Sequence, residues 1–247
     1  MRESRTAIGL AAVLLVIAAC GDGDSEGTGG AGSEETTGLD VVVEALQVYE
    51  SGDIEAWQAL WALDATWEQT TTGGVNYSGT YFEGSDGVFD YGRRGVATED
   101  WDGDGEITIS DIEARSQAEF SASGGRWQAA CELDDSATVT CRVTPTTVFG
   151  TWAFANIQMI DRSGATTGTV TITVRDGLIS HHAAVFASVE QSVVTAYQDA
   201  QRDYWAWIRE SSSEADTLIG TSMGQLVFTP DNYQQHRDLI AEWSVQG

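Results

Sequence analysis

Apolar positions first occur as an unbroken run, Ala7 to Ala19, behind the short segment Met1-Arg2-Glu3-Ser4-Arg5. That run is too short for a permanent membrane helix and suits the apolar core of an export signal. From Gly21 to Gly38 the only apolar side chain is Ala31, which predicts a flexible acidic linker. Periodicity starts at Leu39. Leu39, Val42, Val43, Leu46 and Tyr49 recur at helical spacing, and Gly52 supplies a stop. Asp53 then caps a second expected helix that presents Ile54, Trp57, Leu60 and Trp61. From Asp64 to Thr70 the chain reads as extended. Trp127, Ala129, Cys131 and Leu133 alternate with polar residues, as do Val139, Cys141 and Val143, predicting two strands joined around Asp135-Ser136-Ala137. A second hairpin runs from Val170 through Asp176-Gly177 to Phe186, and Asp-Gly between alternating runs is a strong turn signal. Beyond it, Val189, Val193, Tyr197, Ala200, Tyr204 and Ile208 predict a long helix. Thr229-Pro230 opens a last one carrying Tyr233, Ile240 and Trp243.

Ser51-Gly52-Asp53-Ile54-Glu55-Ala56, followed by Leu63-Asp64-Ala65-Thr66-Trp67-Glu68, resembles the opening of the nuclear-transport-factor-2-like, or SnoaL-like, superfamily. The resemblance implies an α+β fold: a cone made of a strongly curved antiparallel sheet, with the N-terminal helical hairpin packed in its mouth. It covers residues 39–188, with a long irregular insertion between Thr70 and Thr108. Residues 189–247 are expected to form a helical extension that covers the sheet or the cavity mouth.

The N-terminus carries its own chemistry. Leu15-Val16-Ile17-Ala18-Ala19-Cys20 resembles the bacterial lipoprotein signal, which implies cleavage after residue 19 and acylation of Cys20. Residues 20–38 are then an anchor and tether, and the protein sits in the bacterial cell envelope, on the outer face of the cytoplasmic membrane, with the outer membrane as the alternative. Export leaves Cys131 and Cys141 as an even pair in an oxidising compartment. Set opposite each other on one hairpin face they can form a disulfide, whose small loop stabilises by about 2–3 kcal/mol in the chain-entropy account. Thirty-eight acidic residues face 12 basic ones, all arginine, for a formal charge of −26. Such a surface repels phosphate backbones and anionic headgroups, so nucleic-acid binding is excluded and membrane contact is left to the lipid anchor.

Laying the steroid-isomerase pattern of the superfamily on this chain puts Ala45 where an oxyanion-stabilising Tyr would stand, and Gln69 where the general base belongs. Ala has no donor and Gln takes up no proton near neutrality, so that chemistry is not expected. The expected ligand pocket is Trp67, Gln69 and His181. With a plain two-residue turn, Ile172 pairs with His181 and Thr171 with His182, which places His181 on the apolar face with Val170, Val174, Ile179 and Val185. A bulge would exchange the two histidines.

Asp100-Trp101-Asp102-Gly103-Asp104-Gly105-Glu106-Ile107-Thr108-Ile109-Ser110-Asp111 resembles an EF-hand loop. It implies calcium held by Asp100, Asp102, Asp104, Glu106, Thr108 and Asp111, with Asp111 one methylene shorter than the usual Glu. The leading functional expectation is a non-catalytic envelope lipoprotein that binds a small apolar ligand or a partner protein. The alternatives are an acid–base enzyme of the cyclase, isomerase or dehydratase type using His181, and a module that dimerises through the outer sheet face.

Overall fold

The computed structural model describes residues 37–71, 76–83, 100–151, 165–188, 190–219 and 226–246. The expected signal, Cys20 and nearly all of the linker lie outside them, as does most of the 70–108 insertion. Helix α1 (Gly38–Ser51) opens on a reciprocal capping box between Thr37 and Asp40 and ends at Gly52, whose φ of 75° is left-handed. Asp53 accepts from the Ala56 amide and caps α2 (Ile54–Ala59). Strand β1 (Trp61–Thr71) begins three residues earlier than expected, so Trp61 belongs to the sheet and not to the helix. β2 (Asn76–Thr80) follows.

Helix α3 (Ile109–Ala122) was not foreseen in the sequence pattern. It leads to β3 (Arg126–Leu133), β4 (Thr138–Thr147), the short β5 (Gly150–Thr151), β6 (Ala165–Arg175) and β7 (Leu178–Ser188). The last helices are α4 (Gln191–Ser211), the single turn α5 (Ala215–Leu218) and α6 (Tyr233–Ser244).

The sheet runs β2-β1-β7-β6-β4-β3, with β5 paired to β4. It is curved and unclosed, with helices packed on it, and the fold class is the expected α+β. The expected all-antiparallel sheet needs one correction. β1 and β7 run parallel, with Trp67 opposite His182, because a helix and five strands separate them in the chain.

The β3–β4 register has the expected form: Cys131 pairs with Cys141 and Leu133 with Val139, and the two cysteines are bonded. β3 is an edge strand, however, and its expected apolar face is only partly covered. Leu133 remains 46% exposed, whereas Val139 and Cys141 on β4 are buried.

The C-terminal helices pack on the sheet at β5 and on α3. α6 packs on α3 and α4, α4 packs on β5, and the Phe149 ring meets Tyr197, Tyr204 and Trp243. Thr36–Gly247 therefore forms one compact unit. Thr229-Pro230 is a turn before α6, in which Asn232 accepts the Thr229 amide at 2.8 Å, so the helix starts later than the proline suggests.

Candidate functional site

Between the helical hairpin, α3 and the concave side of the sheet is a cavity of about 60 Å3. Its apolar wall includes Ala45, Tyr49, Trp57, Val143 and Phe186. The Phe186 ring can lie over β6 because Gly168 stands opposite it; a Cβ there would come within 2.7 Å of the ring.

Three polar side chains interrupt this lining: Gln69 on β1, Glu113 on α3 and His182 on β7. They are 4%, 6% and 7% exposed, respectively. None of the three has an ion pair or a hydrogen bond to another residue's side chain among the described residues.

Local structure explains how each arrives there. Trp67 and Gln69, two apart on a strand, share a face, as expected. Trp67 stacks on the His182 imidazole with ring centres 3.9 Å apart and planes 9° from parallel. Glu113 is aimed inward by the start of α3. The Thr108 hydroxyl caps the Asp111 amide, and Asp111 Oδ2 accepts in return from the Thr108 amide at 2.7 Å. One turn on from Glu113, Gln117 ties α3 to the first hairpin by donating to the Val48 and Asp53 carbonyls. Tyr81 completes the wall behind the site, stacked on Trp61 at 3.8 Å and receiving the Trp57 indole N–H at 2.9 Å.

His181 is the correction. A bulge at Ser180 shifts the β6–β7 register, so Ile172 pairs with His182 and Thr173 with His181. The Ser180 hydroxyl donates to the Thr173 carbonyl and holds the extra residue in place. Because facing alternates along a strand, one added residue exchanges the two rings. His181 leaves the apolar face and its Nδ1 lies 2.8 Å from Thr66 Oγ1, while Val185, expected inside, is 54% exposed.

The electrostatics follow from burial. Burial pushes the Glu113 carboxyl up to about 8, and the carboxylic acid form dominates at neutral pH. Burial and the neighbouring His181 push His182 down to about 3, so its imidazole is neutral. Burial and the proximity of Glu113 hold the Tyr49 and Tyr81 hydroxyls well above their usual range. The cavity thus presents a neutral acid, a neutral imidazole and an amide against aromatic walls.

The acidic loop has a different arrangement from the one expected. Asp100, Asp102 and Asp104 each offer an oxygen within 4.8 Å of the others. Asp100 also accepts from the amides of Gly103 and Gly105, the latter with a left-handed φ of 93°. Glu106 and Asp111 do not join this cluster. Asp111 is 1% exposed, and its oxygens are taken by the Thr108 amide and hydroxyl and the Trp101 amide. Thr108 and Asp111 are a helix cap in this structure, which removes both from the expected ligand set.

Sequence reading missed Glu113 and Tyr81, and admitted His182 only in the case of a bulge. The available signal for Glu113 was the Thr108-x-x-Asp111 box, which announces a helix start; reading those residues as calcium ligands concealed it.

No protein-family model and no curated protein matches the chain. Among solved structures it is similar to an NTF2-like protein of unknown function from Cytophaga hutchinsonii, at 9% identity over 62% of this chain and 93% of that one, with a TM-score of 0.35. It is also similar to a candidate polyketide cyclase from Xanthomonas campestris pv. campestris, at 14% identity over 65% and 96% of the two chains and a TM-score of 0.37. A third similarity is to the epoxide hydrolase/cyclase-like enzyme SalBIII of salinomycin pyran-ring formation, at 12% identity over 60% and 89%, with a TM-score of 0.36. At these values none of them carries an activity or a ligand to this chain.

Proposed function

We propose that this chain is an exported, lipid-anchored protein whose cone binds a small, mainly apolar molecule without transforming it. The observation that carries the reading is a cavity of apolar and aromatic walls containing three buried polar side chains that pair with no other side chain among the described residues. Buried polar groups in folded proteins are nearly always hydrogen-bonded, and apolar pockets with a few convergent polar groups are the usual form of ligand sites. The volume bounds the ligand. A void of roughly 150 Å3 holds benzene, so about 60 Å3 takes a few heavy atoms, or one end of a longer molecule. Ala45→Phe, on the helix face that lines the cavity, fills it without adding a polar group. Native mass spectrometry of protein from its own cells should show a co-purifying small molecule in the natural chain and none in Ala45→Phe; equal spectra would reject the reading.

Acid–base catalysis is the second reading, favoured by two titratable groups in one cavity. It passes from His181 to Glu113 as proton donor and His182 as acceptor. Its test is hydrogen–deuterium exchange next to the carbonyl of small ketones, lost in Glu113→Gln. Calcium is proposed separately for Asp100, Asp102 and Asp104, on the convergence of their oxygens. No helix among the described residues is long and apolar enough to cross a membrane; acylation of Cys20 is the proposed attachment.

A further inference from the structure

We propose that the cone takes its ligand amine end first: the cavity is a site for a small primary ammonium group, with Glu113 as counter-ion and Gln69 and His182 as the other acceptors. This rests on the ligand-binding reading above and names the chemical class that it leaves open.

Three features of the cavity point to this class. First, the polar groups match the donors of an ammonium ion. R–NH3+ has three N–H bonds and no acceptor, and it meets a carboxylate, an amide oxygen and an imidazole lone pair, each able to accept. All three groups line the same cavity of about 60 Å3. Second, the rest of the lining suits a cation and its alkyl stem. Tyr49, Trp57, Trp67 and Trp127 stand around the polar groups, and aromatic rings attract cations while offering apolar surface. Third, among the described residues the lining holds a carboxyl and no arginine, and the chain has no lysine at all. A carboxylate or phosphate ligand would bring an uncompensated negative charge to Glu113. The formal charge of −26 repels such a ligand over distance and draws cations in.

Binding then moves a proton. The empty site holds Glu113 as the acid, because burial pushes it up to about 8. The titratable groups around it are Tyr49 on α1, Tyr81 after β2 and His182 on β7, all uncharged at neutral pH. When R–NH3+ enters, the carboxyl gives its proton to solvent and the resulting carboxylate pairs with the ammonium. No covalent bond to carbon or nitrogen changes. A neutral carbonyl or alcohol would instead bind the protonated acid and release nothing.

The experiment is isothermal titration calorimetry on the full-length chain in detergent at pH 7. The probes are butylamine hydrochloride, butan-1-ol, butan-2-one and sodium butyrate, each titrated in phosphate and in MOPS. Butylamine should bind with release of about one proton, read from the difference between the two buffers. The three other probes should bind at least about tenfold more weakly, since none can form the charged pair. Glu113→Gln should lose the proton release and the preference for the amine. If that variant does not fold, the proton count on the natural chain still decides. Tighter binding of butan-1-ol or butan-2-one, with no proton released, would overturn the amine assignment and leave the ligand-binding reading standing. Binding of no probe, with native mass spectra that Ala45→Phe leaves unchanged, would overturn both.

Discussion

Glu113→Gln also tests the cavity's electrostatics through stability alone, with no ligand. The carboxyl sits at about 8 in the folded protein against an ordinary 4.5, and burial is the cause. Between those values the folded state holds a proton that the unfolded chain has lost. Its contribution is therefore fully present below pH 4.5 and is lost as the pH rises through 8. His182 and His236, lowered by burial to about 3 and about 4 from 6.5, act with the opposite sign. Their contribution is present above pH 6.5 and is lost as the pH falls. From pH 6.5 to 8 the pH dependence of the histidine contribution fades and is the same in both proteins, so Glu113 sets their difference in slope at up to about 1.4 kcal/mol per pH unit. Over that interval the natural chain should lose roughly 2 kcal/mol relative to Glu113→Gln, or about 4–8 °C of Tm at this length. The assay is thermal unfolding by near-ultraviolet circular dichroism at four pH values and fixed ionic strength. Comparing the two proteins cancels the shared self-repulsion of so acidic a chain. Parallel Tm curves, at any offset, would show that Glu113 does not hold its proton and would refute the argument.

Removing the Cys131–Cys141 bond by a double Ala substitution should cost about 2–3 kcal/mol, read from urea midpoints, and intact mass after alkylation without reductant should show both thiols blocked in the natural chain. Cys20→Ala should release the protein from membranes into the soluble fraction; unmodified, uncleaved N-terminus recovered from native membranes would end that proposal. Calcium at ten times its dissociation constant should raise the folding free energy by about 1.4 kcal/mol, with millimolar affinity and a weaker response to magnesium. Asp104→Ala should abolish that effect, and identical melts in calcium and in chelator would leave the loop an acidic turn.

The parts of this fold legible in the sequence were those governed by local rules. Gly52 and Asp53 punctuate the first hairpin by left-handed geometry and capping, and the Cys131–Cys141 register follows from strand alternation. Asp176-Gly177 makes the turn it announces, with both residues at positive φ. What stayed hidden depended on tertiary context. Nothing in the residue types around Ser180 marks the bulge, and that one added residue decides which histidine enters the cone. α3 was hidden because it is buried on nearly every side while carrying Ser110, Ser116, Gln117 and Ser121 inward. A helix satisfied by small polar contacts shows no apolar stripe. Gln69 was placed in the cavity by the superfamily pattern laid on the chain, but Glu113, the group on which its chemistry turns, lies on that hidden helix.

The central claim is that Glu113 and His182 face a ligand-binding cavity from which His181 is excluded. The most direct measurement is a high-resolution crystal structure of the protein purified from its own cells. It should show His182 stacked on Trp67, His181 bonded to Thr66, and non-protein density between Gln69, Glu113 and His182. A cone filled by its own side chains, or His181 in the cavity in place of His182, would contradict it.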